Sequence, residues 1–249
     1  MTALPKRLTA EAVGTALLLA VVVGSGIMGE RLAGGNVAIA LLANSLATGF
    51  ALIALIIVYG PLSGAHMNPV VTLALALRGR TAWRDVAPYA VAQAAGAALG
   101  VWAAHLMFEL PVLQLSLAER SGTAQLLSEV IATFGLVAVV LNCERDRPWA
   151  APFAVAAYIA GAYWFTASTS FANPAVTIAR ALTQTFAGIR IQDAPGFIGA
   201  QLIGGVLALL ADRWLKTSPD RNAEPGALSI STRRSDIPPE RITHSRPRL

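Results

Sequence analysis

The sequence predicts an all-α membrane protein with six membrane-spanning helices and two half-spanning helices, arranged as an inverted repeat. Three observations support this fold class. Charged residues make up only 13% of the 249 residues and hydrophobic residues make up 55%, whereas soluble domains carry roughly 25% charged residues. Six apolar segments are long enough to cross a bilayer. Two shorter apolar runs each begin at an Asn-Pro pair.

The six long segments have 18 to 23 residues each, close to the roughly 20 residues that an α-helix needs to cross the hydrocarbon layer. Lys and Arg lie mainly before the first segment, between alternate segments and after the last. The positive-inside rule therefore places both termini in the cytoplasm. We expect the chain to lie in the cell (inner) membrane. The segments are residues 8–28, 37–58, 86–108, 124–142, 149–166 and 195–215.

The two ends of the chain carry different signals. Lys6 and Arg7 precede the first apolar segment without a clear cleavage site, which indicates a retained helix rather than a signal peptide. Residues 216–249 are rich in Pro, Ser and Arg and poor in large apolar residues. We therefore expect one membrane domain over residues 1–215, followed by a basic, disordered cytoplasmic tail.

The two Asn-Pro pairs, Asn68-Pro69 and Asn173-Pro174, predict helix starts inside the membrane domain. Asn is a favourable N-cap, and Pro is favoured at the first helical position. A helix of about ten residues rises roughly 15 Å, which is half of the hydrocarbon thickness. Each pair therefore predicts a half-spanning helix that begins at mid-membrane. The apolar runs that follow the pairs cover residues 70–77 and 175–179.

The two halves of the chain repeat one pattern. A Glu-x-x-x-Thr sequence begins at Glu11 in the first span and again at Glu129 in the fourth, and the Asn-Pro pairs occupy corresponding places. The repeats cover about residues 8–108 and 124–215, with three spans each, so the second half must insert in the opposite orientation. Inverted repeats with interrupted helices are typical of proteins that have a central transport path.

Composition excludes several other classes of protein. The net charge of +5 does not indicate a nucleic-acid partner, because the basic residues lie at segment ends and in the tail, where lipid phosphates and orientation explain them. The single cysteine, Cys143, excludes an internal disulfide and a multi-cysteine metal site. The expected surroundings are the lipid bilayer, and the expected class is a transport protein.

Together these motifs resemble the aquaporin, or major intrinsic protein, family. The resemblance rests on SGAHMNPVVT from Ser63 to Thr72, on NPA from Asn173 to Ala175 and on the paired glutamates, and it covers about residues 8–215. It implies a homotetramer that conducts small neutral solutes, without catalysis, cofactor or metal. It also implies that the two half-helices meet at mid-membrane, where Asn68 and Asn173 donate hydrogen bonds into a single-file pore. The two pore motifs are then Asn68-Pro69-Val70 and Asn173-Pro174-Ala175.

The physics of such a pore does not depend on the family. Each half-helix N-terminus presents roughly half a positive charge to the pore centre. That potential repels protons and cations, while the Asn amides orient a passing oxygen atom. Neutral hydroxylated solutes are therefore expected to pass and ions to be excluded.

The residue after the second motif departs from the family pattern. Most members have Arg there, facing an aromatic residue or His, whereas this chain has Val176. Carried over by spacing, the resemblance assigns the other three filter positions to Thr48, Gly161 and Ser170. These four side chains imply a wide constriction with no aromatic wall and no charge. We therefore expect passage of solutes bulkier than water and weaker discrimination against acids.

A small-residue filter without Arg is similar to that of bacterial aquaglyceroporins associated with arsenic-resistance gene clusters. This resemblance implies passage of uncharged arsenous acid, a neutral trihydroxy molecule that resembles a polyol, and of methylated arsenicals. Size alone also admits glycerol and urea.

Glu11 and Glu129 are ionisable residues within predicted spans, which makes each a candidate for a functional or a structural role. A proton relay is one interpretation. We favour the other, in which each carboxylate accepts hydrogen bonds from the irregular backbone before one half-helix. His66 is a candidate for lining the cytoplasmic side of the pore, and it has no partners that would make a metal site.

Two further residues leave alternatives open. Arg180 lies four residues after Val176, on the same helical face, and either overhangs the outer vestibule or faces lipid or water at the helix end. Val70 replaces the usual Ala of the first motif and enlarges the contact between the half-helices, with an open effect on pore width. Gln93 and Gln201 are expected to pack at helix interfaces.

Three rival functions remain. A water-selective channel of the same family is disfavoured by the missing Arg and aromatic residue. A proton-coupled secondary transporter would also use inverted repeats, with Glu11 and Glu129 as proton carriers. A structural membrane protein with a blocked pore is disfavoured by the small filter residues. A transporter saturates and responds to a pH gradient, whereas a channel follows only the gradient of its solute.

Overall fold

The computed structural model describes residues 2–216, apart from the side chains of residues 144–146. Every regular element in that part of the chain is helical. Lys216 ends the last helix, and the rest of the predicted tail, residues 217–249, lies outside the described residues. The α-helices are α1 (Leu4–Leu32), α2 (Val37–Ser63), α3 (Pro69–Leu77), α4 (Trp83–Met107), α5 (Thr123–Asp146), α6 (Ala151–Phe165), α7 (Pro174–Arg180) and α8 (Ala194–Lys216).

Five of these helices, α1, α2, α4, α5 and α8, are long and apolar enough to cross a membrane. They match five of the predicted segments within a few residues at each end. The sixth predicted segment, residues 149–166, is also helical, but its first two residues lie outside the α-helix. A short 3-10 helix, Pro148–Ala150, precedes α6, which has only 15 residues and rises about 22 Å. Proline near the start of each piece fixes these two beginnings.

α3 and α7 are the half-helices that the Asn-Pro pairs predict, and they contain nine and seven residues. Each begins where its Asn side chain caps the first free backbone N–H groups. Asn68 Oδ1 accepts from the N–H of Val70 at 2.9 Å, and Asn173 Oδ1 accepts from the N–H of Ala175 at 3.0 Å. At 1.5 Å per residue the two helices rise only about 14 and 10 Å. Neither crosses the bundle alone.

Small residues let the long helices approach closely in both halves of the repeat. Gly96 of α4 lies against the backbone carbonyl of Ala12 in α1, and Gly204 of α8 lies against the carbonyl of Val130 in α5. A methyl group added at either glycine would overlap that carbonyl. Close backbone packing is the main source of helix association in lipid, where burial from water contributes little. The same contact therefore holds α1 to α4 and α5 to α8.

The outward faces of the long helices are apolar. Among the large hydrophobic side chains exposed there are Leu17, Phe50, Val91, Leu99 and Ile203. Soluble monomers rarely expose contiguous apolar patches of this extent. The outer surface is therefore suited to lipid or to other protein, and the polar features of the fold lie inside the bundle.

Candidate pore and selectivity filter

The carboxylate of Glu11 is fully buried and accepts four hydrogen bonds. Its Oε1 accepts from Ser63 Oγ at 2.6 Å and from the backbone N–H of His66 at 2.9 Å. Its Oε2 accepts from the backbone N–H of Met67 at 2.6 Å and from Gln93 Nε2 at 2.8 Å. Two of the four donors are backbone groups of the segment that leads into α3.

Glu129 is fully buried and makes the same four kinds of contact in the second half. Its Oε1 accepts from Ser168 Oγ at 2.6 Å and from the N–H of Phe171 at 2.9 Å. Its Oε2 accepts from the N–H of Ala172 at 2.8 Å and from Gln201 Nε2 at 2.7 Å. This geometry supports the anchoring interpretation of the two glutamates, because each oxygen already has two donors.

The anchored segments have a strained backbone. Ala65 and Met67 before α3, and Ser170 and Ala172 before α7, have φ between 45° and 50°. The left-handed region is unfavourable for residues with a Cβ and persists only where the surroundings enforce it. Both carboxylates bind backbone N–H groups within these segments, so each glutamate holds a strained backbone in place.

Asn68 and Asn173 tie the two half-helices together. Asn68 Nδ2 donates to the carbonyl of Ala172 at 2.8 Å, and Asn173 Nδ2 donates to the carbonyl of Met67 at 2.7 Å. Each side chain thus caps its own helix through Oδ1 and reaches the opposite segment through Nδ2. A side-chain amide carries two N–H donors, so one donor on each Asn remains for a solute.

A cavity of about 140 Å³ passes both asparagines. Each water molecule needs roughly 10–15 Å³ of such cavity volume, so the cavity has room for several small molecules in single file. The wall is mostly apolar and includes Val71, Leu75, Leu136 and Ile159. Polar residues are concentrated in the two segments before the half-helices and at the filter.

Many of the predicted pore residues lie on this cavity. The pore-motif, filter and pore-lining residues predicted from the sequence that contribute to the wall are Thr48, His66, Asn68, Ser170, Asn173 and Val176. His66 is half-buried, and its Nδ1 lies 3.1 Å from Thr72 Oγ1. Pro69, Pro174 and Ala175 sit in the first turns of the half-helices and are not among the wall residues.

Val70 also lies off the cavity wall. Its side chain is directed at Gly205 of α8, where an added Cβ would lie 2.7 Å from Val70 Cγ1. The following residue, Val71, lines the cavity instead. The extra methyl groups of this motif therefore fill a helix interface and do not narrow the pore.

Gly161 must be removed from the predicted filter. It is exposed on α6, has no atom within 4 Å of a would-be Cβ and is not a wall residue. The buried face of α6 includes Val155, Ile159 and Tyr163. Gly161 is two residues from Tyr163, about 200° around a helix with 3.6 residues per turn, and so points away from the bundle. Tyr163 lies on the cavity wall, in the place that the sequence predicts for Gly161.

The cavity beside Val176 therefore has an aromatic wall and a charge, contrary to the prediction. Tyr163 OH lies 3.3 Å from Thr48 Oγ1, and Tyr163, Phe171 and Arg180 all line the cavity beside Val176. Arg180 is only 2% exposed. The one sequence signal for Arg180 was its position one helical turn after Val176, whereas nothing in the sequence pointed to Tyr163 or Phe171.

A sequence model of the family described as Major intrinsic protein matches residues 2–157. This chain belongs to the major intrinsic protein family. The predicted family and fold class are thereby confirmed, and the fold has a solved counterpart. The X-ray structure of the aquaglyceroporin from Plasmodium falciparum superposes with a TM-score of 0.64 at 18% identity, covering 84% of this chain and 95% of that one.

Two curated relatives match most of this major intrinsic protein. Aquaglyceroporin AqpS of Rhizobium meliloti (strain 1021) is 56% identical over 212 residues, which is 85% of this chain and 91% of that protein. Aquaporin AqpM of Methanothermobacter marburgensis is 30% identical over 246 residues, which is 86% of this chain and 99% of that protein. The similarity to both extends over nearly their whole length.

Proposed function

We propose that this major intrinsic protein is a passive membrane channel for small neutral solutes, and that glycerol-like polyols, arsenous acid and water pass through it. The observation that carries the proposal is the cavity between the two half-helices, with both asparagines on its wall. The similarity to a protein named an aquaglyceroporin supports the polyol class. Arsenous acid fits the same class, because it is a neutral molecule with three hydroxyl groups.

The chemistry of the wall suits hydroxylated solutes. Asn68 and Asn173 each keep one amide N–H to donate to a solute oxygen. The apolar side chains of the wall, among them Leu52 and Leu136, offer no competing hydrogen bonds and suit the carbon face of a polyol. Two half-helix N-termini meeting at the same point each carry roughly half a positive charge, which disfavours protons and other cations.

Proton-coupled transport is disfavoured by the glutamates. A relay needs a carboxylate that reaches the transport path and has a free lone pair to receive a proton. Glu11 and Glu129 are not on the cavity wall, and each accepts four hydrogen bonds from donors that do not titrate in the physiological range. We assign both glutamates to the anchoring of the half-helices.

We further propose a homotetramer in the cell membrane with both termini in the cytoplasm. Buried carboxylates near one end of the bundle pair with cations from other elements, Asp85 with Arg7 at 2.9 Å and Asp212 with Arg78. These elements are the starts of α1 and α4 and the ends of α3 and α8. Clustering of Lys and Arg at that end supports its cytoplasmic orientation.

The test is stopped-flow light scattering of proteoliposomes with water, glycerol and arsenous acid, comparing the wild type with Val176→Arg and Val176→Leu. The wild type should conduct all three. A second guanidinium beside Arg180 should suppress glycerol and arsenous acid at least tenfold while sparing more of the water flux, and Val176→Leu controls for bulk. A wild type that conducts water alone would support the water-selective alternative. Solute flux that saturates and follows a pH gradient would support a transporter.

A further inference from the structure

Arg180 is a cation on the wall of the proposed pore. It ends α7, one helical turn after Val176, and is 2% exposed. Burying a charged side chain this deeply costs free energy unless the charge is paired and hydrogen-bonded, so a buried charge inside a membrane domain is a candidate functional residue. The structure gives Arg180 no carboxylate partner within the described residues.

Two contacts fix the guanidinium in place. Its Nε donates a hydrogen bond to the backbone carbonyl of Ala187. Its central carbon lies 3.4 Å above the centroid of the Phe171 ring, a stacked cation–π arrangement. These contacts occupy one face of the guanidinium group and its Nε–H donor. The two terminal nitrogens have no hydrogen-bond partner in the part of the chain that the structure describes.

The neighbouring side chains leave those nitrogens for a solute. Ser170 also lines the cavity, and its hydroxyl has no hydrogen-bond partner among the described residues. The Tyr163 hydroxyl lies beside Thr48 on the same wall. One end of the cavity therefore combines a fixed cation with an unsatisfied hydroxyl group. This end is suited to an oxygen-rich neutral molecule and repels a cation.

Arg120 provides a contrast within the same region. It also faces the Phe171 ring, with its guanidinium carbon 5.2 Å from the ring centroid. Its nitrogens, however, donate to the carbonyls of Gly188 and Ser168 at 2.8 and 3.3 Å, and it is not a wall residue. Arg120 holds loops together, whereas Arg180 lies on the transport path.

We propose that Arg180 is the charge-selecting residue of this channel: it rejects cations at the filter, where Val176 and Ser170 also line the cavity. This inference rests on the proposed channel function. Two unit charges about 6 Å apart at an effective dielectric constant of 20 interact strongly enough to change a rate roughly a hundredfold. The half-helix N-termini contribute only partial charges, so the full charge of Arg180 dominates at this end.

Urea and guanidinium are the probes, because they have nearly the same planar shape and differ in charge. Uptake of each radiolabelled solute is measured in proteoliposomes held at zero membrane potential, for the wild type, Arg180→Gln, Arg180→Lys and Arg120→Gln. The ratio of guanidinium to urea flux should rise at least tenfold in Arg180→Gln. It should stay within about twofold of the wild type in Arg180→Lys, which keeps the charge. It should rise less in the matched control Arg120→Gln than in Arg180→Gln, because Arg120 is not a wall residue and its charge acts from a greater distance.

The flux ratio separates selectivity from folding, since urea flux in the same vesicles reports the functional fraction of each variant. An unchanged ratio in Arg180→Gln would overturn the proposal and assign cation rejection to the half-helices. A rise in Arg180→Lys equal to that in Arg180→Gln would also overturn it, because Arg180 would then act only by positioning the loop through Ala187. A wild type that conducts none of urea, glycerol and water would instead refute the channel function on which the inference rests.

Discussion

Replacing Gly205 by Ala should destabilise the protein, and replacing Val70 by Ala in the same chain should remove most of that effect. A Cβ added at Gly205 would lie 2.7 Å from Val70 Cγ1, and the next atom, Val137 Cγ2, is 4.0 Å away. Carbon atoms without a bond prefer separations of about 3.5–4.0 Å. The clash therefore involves one pair of side chains, and Val70 cannot rotate away easily, because β-branched residues have one favoured rotamer in a helix.

The magnitude follows from that geometry. Overpacking of a buried site destabilises by about 1–3 kcal/mol, and Gly205→Ala alone should fall in this range. Val70→Ala alone should destabilise by about 1–2 kcal/mol through the loss of buried methyl groups. In the double variant the new methyl group occupies the space that Val70 leaves. The coupling energy of the pair should therefore be about 1–3 kcal/mol in favour of the double variant.

The assay is equilibrium unfolding in mixed detergent micelles for the wild type, the two single variants and the double variant. Glycerol permeability gives a second measurement, because Val71 lines the cavity and Val70 does not. Val70→Ala should leave glycerol flux per folded channel within about twofold of the wild type, whereas Val71→Ala should raise it, since truncating a wall residue widens the passage.

Two results would refute this reasoning. Additive effects of Gly205→Ala and Val70→Ala would mean that the two side chains do not compete for one space. A change in glycerol flux in Val70→Ala as large as that in Val71→Ala would mean that Val70 reaches the pore.

Three further predictions concern other parts of the structure. Glu129→Gln should destabilise the protein by about 2–5 kcal/mol in the same unfolding assay, because a side-chain NH₂ would face buried N–H donors; an unchanged free energy of unfolding contradicts the anchoring role. Tyr163→Ala should raise glycerol flux while Gly161→Ala leaves it unchanged, and the reverse order would restore Gly161 to the filter. Although burial by itself raises the pKa of Asp193, hydrogen bonds from Arg190 and from the backbone N–H of Arg120 hold it below its ordinary value of 3.8. The stability that Asp193 provides should be fully present above about pH 4 and should decline as the pH falls through the lowered pKa. Thermal unfolding of Asp193→Asn and of the wild type at several pH values checks this. A stability difference between the two proteins that persists at low pH contradicts it.

The membrane helices and half-helices could be predicted because their causes are local. In lipid every backbone group must be satisfied within the segment, so length and apolar composition identify a spanning helix. Asn68 and Asn173 cap the N–H groups directly after them, and the starts of α3 and α7 follow from four residues. The segment over 149–166 is helical as predicted, but its first two residues belong to the 3-10 helix and α6 begins at Ala151, with Pro152 in its first turn.

The anchoring of the half-helices could also be inferred, because a buried carboxylate has few stable surroundings. Glu11 and Glu129 recur at matching points of a repeat, each preceding one irregular segment. The backbone N–H groups of such a segment need hydrogen-bond acceptors, and the two carboxylates are the acceptors that the repeated pattern provides. The identity of all four donors, including Gln93 and Gln201, needed the folded chain.

The sequence by itself determined the family, the inverted repeat and the two asparagines at the pore centre, because each depends on short motifs and on segment length. Only the tertiary structure decided which side chains form the filter. Counting residues back from Asn173 reached Gly161, but the rotation of α6 against its neighbours directs Tyr163 inward. Spacing also left Arg180 with two possible surroundings, and the ring of Phe171 and the carbonyl of Ala187 hold it against the cavity. A side chain's direction depends on contacts with residues distant in sequence, and motif spacing carries no information about them.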